Sequence, residues 1–104
     1  MAEQSPMLQV RCRRSGDGWL CRVTVGDDPA ATRHEVVVTN EDLSRFAPHA
    51  DVRALVEASF RFLLERESRE SILRRFDLPV IERYFPEYVA DIGRRVWKPL
   101  SPGK

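Results

Sequence analysis

The sequence predicts an α+β domain in which an N-terminal three-stranded antiparallel sheet precedes four to five short-to-medium helices. The first third of the chain alternates apolar and polar residues between turn signals, whereas capping residues and helical periodicity begin at Thr39. The length of 104 residues suits one domain. We expect residues 1–97 to fold as a single unit and residues 98–104 to form a disordered tail, because Pro102 and Gly103 disfavour regular structure.

Turn residues and alternation define the predicted strands. The runs 7–14 and 19–25 flank Ser15-Gly16-Asp17-Gly18, a turn cluster of the kind that closes β-hairpins. A third strand is predicted over residues 33–39, where three consecutive valines lie. Three strands are the minimum for an independently stable sheet.

Two helices are predicted directly after the strands. Thr39 and Asp42 resemble a capping box at the start of a short helix that Pro48 ends. Asp51 can cap a longer helix over about residues 52–67, whose apolar residues span roughly 200° against the ~100° stripe of an ordinary surface helix. We therefore expect this longer helix to be covered on two sides.

The C-terminal part is predicted to form short helices separated by caps and prolines. Ser68 and Asp77 are candidate caps for two of them, and Pro86 begins the last. Their apolar residues are Ile72, Leu73, Phe76, Tyr88, Val89, Ile92 and Val96.

Three stretches of the helical half, residues 56–67, 70–81 and 83–88, form the pattern FxFLLERE…ESILxxFDLPVIxRYFPEY. This pattern resembles a group of short bacterial proteins that carry no assigned activity, fold or site. The resemblance covers less than half of the chain. It implies kinship alone, so no functional residue is carried over from it.

Cys12 and Cys21 are the two cysteines of the chain. The hydrophobic pattern places them opposite each other in the hairpin, because a shift by one residue would break its apolar face. For a cytoplasmic chain we expect two reduced, buried thiols. Two alternatives stay open: a disulfide or redox pair, or a zinc site with His34 and His49, although the usual Cys-x2-4-Cys spacing is absent. We predict no cofactor.

The opposite face of the hairpin carries Arg11, Arg13 and Arg22. Arg11 and Arg22 lie directly across from each other, and like charges in that position destabilise a strand pair. Either Glu35 on the third strand neutralises them, or an anionic partner such as a phosphate backbone or an acidic protein patch does. These three arginines are therefore a candidate anion contact.

Composition and missing motifs exclude several classes of protein. Seventeen Lys plus Arg against sixteen Asp plus Glu give a net charge of +1, which argues against a general polyanion binder. No apolar run approaches the ~20 residues of a membrane span, and the first six residues lack a signal-peptide pattern, so we expect a cytoplasmic protein. We recognise no phosphate-binding loop or nucleophile–base pair, so we predict no catalytic residue and no small-molecule substrate.

The first predicted function is a non-catalytic protein-interaction module. We expect it to self-associate as a homodimer through apolar helix surface, because its apolar inventory is large for a small core. The aromatic part of that inventory is Phe60, Phe62, Phe76, Tyr84, Phe85, Tyr88 and Trp97.

The alternative function is a nucleic-acid-associated regulator that uses exposed arginines. Residues 70–85 suggest a helix-turn-helix-like unit in which Arg74, Arg75 and Arg83 contact phosphates. The hairpin residues Asp17-Gly18-Trp19 resemble HicB-type antitoxins, although the later strand and glycine of that pattern are missing.

Overall fold

The structure is a computed structural model that describes residues 7–48 and 50–96. Within these ranges the elements are β1 (Leu8–Ser15), β2 (Gly18–Val25), β3 (Thr32–Thr39), α1 (Asn40–Phe46), α2 (Val52–Leu64), a 3-10 turn (Arg69–Ser71), β4 (Arg75–Asp77), α3 (Val80–Tyr84) and α4 (Tyr88–Val96). The sheet order is β1-β2-β3-β4. The first three strands are antiparallel, and β4 runs parallel to β3. The predicted tail, residues 98–104, lies outside the described residues.

The predicted three-stranded antiparallel sheet followed by four to five helices is wrong. A fourth strand, β4, makes the sheet mixed, and it lies between helical segments instead of before them. In place of the helix expected after Ser68, the chain makes one 3-10 turn and then extends. The physical reason is the open edge of β3: the Glu35 amide donates to the Arg74 carbonyl at 2.8 Å, and the Leu78 amide donates to the Val37 carbonyl at 3.0 Å.

The hairpin pairing is confirmed. Val10 lies opposite Val23 and Cys12 opposite Cys21, as the hydrophobic pattern predicts. The structure joins the two cysteines in a disulfide, one of the two alternatives that the sequence leaves open, and not as the reduced thiols that the sequence predicts. On the outer edge of β1, the Arg53 guanidinium of α2 donates to the Val10 carbonyl at 3.3 Å.

The two-sided burial of α2 is confirmed. Its apolar residues face the sheet on one side and α1 and α4 on the other. Asp51 caps its first turn as predicted, accepting from the Ala54 amide at 2.8 Å. Deeper inside, the Ser59 hydroxyl donates a hydrogen bond to the Leu55 carbonyl and accepts one from the Tyr88 hydroxyl, both at 2.7 Å. Burial raises the pKa of the Tyr88 phenol, so this group stays a hydrogen-bond donor.

His34 of β3 is buried and holds the segment that leads to β4. Its Nδ1 lies 2.8 Å from the Leu73 carbonyl, which can only accept, so Nδ1 carries the proton. Its Nε2 then accepts from the Thr32 hydroxyl at 2.8 Å. Because both ring nitrogens are engaged inside the protein, His34 does not serve the zinc alternative; His49 lies outside the described residues. Burial lowers the pKa of His34.

We expect the free energy of unfolding to fall as the pH drops below 6.5, the ordinary pKa of histidine. Below that pH the histidine of the unfolded chain takes up a proton, whereas His34 of the folded chain does so only at lower pH. The contribution of His34 to the free energy of unfolding is therefore fully present above 6.5 and is lost as the pH falls through the folded pKa. Urea unfolding between about pH 7.5 and about pH 5.5 measures this loss. His49→Gln is the matched control and should keep the pH dependence of the free energy of unfolding. An unchanged pH dependence in His34→Gln would refute its assignment to His34.

Reduction of the disulfide by a dithiol should lower the free energy of unfolding by about 2–3 kcal/mol, because the bridge closes a short loop in the unfolded chain. Urea unfolding with and without reductant measures the difference. The double variant Cys12→Ser, Cys21→Ser should not respond to reductant. Alkylation of both cysteines in the native protein without reductant would contradict the bridge.

Candidate functional site

One face of the sheet is open to solvent in the described part of the chain. Side chains alternate between the two faces of a strand, and α1 and α2 cover only the face that carries the core. The open face presents Gln9, Arg11, Arg13, Leu20, Arg22, Thr24, Arg33, Glu35, Val37, Arg75 and Asp77. Each of these residues is exposed or half-buried.

A row of four charged residues crosses this open face. The strand register sets Arg11 opposite Arg22, Arg22 opposite Glu35, and Glu35 opposite Arg75. The Glu35 carboxylate lies 3.6 Å from the Arg22 guanidinium and 3.5 Å from that of Arg75. Glu35 is therefore the counter-charge that the sequence predicts, but it is shared between two arginines.

The structure enlarges the predicted arginine cluster. Arg11, Arg13 and Arg22 lie together as expected, and β3 and β4 add Arg33 and Arg75; we call these five residues the arginine face. Because side chains alternate between the two faces of a strand, the sequence of β3 is enough to place Arg33 on the same face as Glu35. The position of Arg75 could not be predicted from the sequence, because it depends on strand β4, which the sequence does not predict.

Part of the arginine face has no carboxylate beside it in the described part of the chain. Among residues 7–48 and 50–96, no carboxylate lies within 4.0 Å of Arg11, Arg13 or Arg33. A concavity of about 650 Å³ is lined by Arg11 and Arg33, but not by Arg13, and Arg74 lines it as well. The arrangement offers several guanidinium groups to one anionic partner.

A second surface is an apolar groove of about 250 Å³, which we call the α3 groove. It lies between the end of α2, the segment before β4, and α3. Its lining is Leu63, Glu67, Ser71, Ile72, Leu73, Phe76, Val80, Ile81, Tyr84 and Phe85. Leu73 and Tyr84 are 47% and 66% exposed at its rim.

Two charged residues accompany the α3 groove. Of the described residues that line the groove, Glu67 is the one with a charge, and its half-buried position raises the pKa of its carboxyl. Arg83 precedes Tyr84 on α3 and is exposed. In the described ranges, neither residue has an ion-pair partner within 4.0 Å.

Other predicted surfaces are not formed as expected. The apolar arc of α2 is buried inside the chain's own fold, with Leu55, Phe60 and Phe62 fully covered. The helix-turn-helix-like reading of residues 70–85 is wrong, because β4 replaces its first helix. Trp97 lies outside the described residues.

In the part of the chain that the structure describes, no helix has the length and apolar character needed to cross a lipid bilayer. The same residues contain no group of three or more His, Cys, Asp or Glu side chains placed to hold a metal ion. No protein-family model, no curated protein and no solved structure matches this chain.

Proposed function

We propose that this chain is a non-catalytic protein-interaction module that forms a homodimer through the α3 groove. The observation that carries the proposal is the exposure of Leu73 and Tyr84 at the rim of an apolar recess. A surface that combines a recess with projecting apolar side chains can match a second copy of itself about a two-fold axis. Tyrosine is among the residues that most often dominate binding energy at such interfaces.

Charge supports a second copy as the occupant of the groove. Glu67 in the groove and Arg83 beside Tyr84 both lack an ion-pair partner among the described residues. In a two-fold dimer, each contact occurs twice with the roles of the copies exchanged. Pairing Arg83 of each copy with Glu67 of the other would therefore satisfy four charges with one geometry.

The size of the groove also favours this occupant. Pockets for drug-sized ligands usually enclose about 300–1,000 Å³, and the α3 groove has about 250 Å³ and is open. A recess of this volume accepts one or two side chains. Tyr84 of a second copy has the required size and is already solvent-exposed.

We expect Tyr84→Ser to weaken the dimer by about tenfold or more, because it removes the central apolar anchor of the interface. Light scattering on a dilution series measures the dimer dissociation constant. Val89→Ser is the matched control, since Val89 is 40% exposed on α4 and does not line the groove. A monomer at every concentration, or equal effects of the two variants, would overturn the proposal.

The charge pair allows an independent check of the geometry. Glu67→Arg and Arg83→Glu should each weaken the dimer, since each places like charges against each other across the interface. The double variant restores opposite charges and should recover most of the affinity. Additive losses in the double variant would show that the two residues do not meet.

A further inference from the structure

We infer that the arginine face binds the phosphate backbone of a nucleic acid without reading its base sequence. This activity is separate from the proposed self-association, because it uses the open face of the sheet instead of the α3 groove.

Local charge is the first argument. Within residues 7–48 and 50–96, the open face holds the five arginines of the arginine face against two carboxylates, those of Glu35 and Asp77. The local excess of three positive charges stands out in a chain whose net charge is only +1. A near-neutral protein can therefore present one strongly positive surface to a polyanion.

The arrangement of these charges is the second argument. Arg11 faces Arg22 directly across the hairpin, an arrangement that destabilises the strand pair. Glu35 is already shared by Arg22 and Arg75. Arg11, Arg13 and Arg33 remain without a carboxylate in the described ranges. An external anion would relieve this repulsion, and three free guanidinium groups suit about three phosphates.

The rest of the open face favours a nucleic acid over an acidic protein. Protein interfaces depend on buried aromatic or aliphatic anchors. Among the residues that the structure describes, the apolar side chains of this face are the half-buried Leu20 and Val37. Protein–nucleic acid interfaces are instead polar, positively charged and rich in phosphate contacts. The described residues of this face include no aromatic side chain on which a base could stack. We therefore expect this face to contact the phosphate backbone and not to read the base sequence.

Fluorescence anisotropy with a short labelled DNA duplex tests the inference, with the single strand of the same sequence as a second arm. Three phosphate contacts predict a slope of about −2.7 for log affinity against log salt, so binding should weaken about 40-fold between about 50 mM and about 200 mM salt. Measurements on Tyr84→Ser as well as the unaltered chain keep the result independent of self-association.

Charge variants locate the binding surface. Arg11→Gln and Arg33→Gln should each reduce the salt slope by about one. Arg94→Gln makes the same change in net charge on α4, where the side chain is 73% exposed, and should leave binding unchanged. Glu35→Gln should tighten binding by about fivefold or more, because it releases Arg22 and Arg75 to contact phosphates.

Four outcomes would overturn the inference. The first two are an absence of binding at the lower salt concentration and an affinity that does not depend on salt. The third is an effect of Arg94→Gln equal to that of Arg11→Gln. The fourth is competition by a polyglutamate peptide that is as strong as competition by unlabelled duplex of equal charge. The last outcome would assign the face to an acidic protein.

Discussion

The burial of α2 on two sides is the constraint on which the rest of this fold depends. Because the apolar arc of α2 is wide, the sheet must cover one side and the other helical elements must cover the other. Most of a small chain is used for this purpose. In the described ranges, α1 and α2 lie on the same side of the sheet, which leaves the opposite face in solvent with its arginines.

The segment between α2 and β4 shows how the α3 groove is built. Arg69 binds both carboxylate oxygens of Asp28 at 3.1 Å and donates to the Val25 carbonyl, which attaches the segment to the end of β2. The Arg69 guanidinium holds the pKa of Asp28 below its usual value. His34 attaches the same segment to β3 through Leu73. One wall of the groove is thus positioned by polar contacts with the sheet.

Elements fixed by local pattern could be predicted from the sequence. The hairpin register follows from its apolar face, and the cap at Asp51 follows from local backbone chemistry. Strand β4 could not be predicted, because it has three residues and gains its hydrogen bonds from a partner some forty positions earlier. With β4 unknown, Arg75 could not be placed on the sheet. The sequence leaves the disulfide open, since spacing alone does not decide between thiols and a bridge.

The contact between Arg53 and the Val10 carbonyl has a consequence for solubility. An unpaired sheet edge exposes donors and acceptors that can recruit the strand of another molecule and begin fibrous aggregation. Here a guanidinium from α2 occupies one of those acceptors on β1, and the charged residues Arg11 and Arg13 follow it along the strand. One acceptor on the edge of the first strand is therefore already used within the chain and is not available to pair with the strand of another molecule.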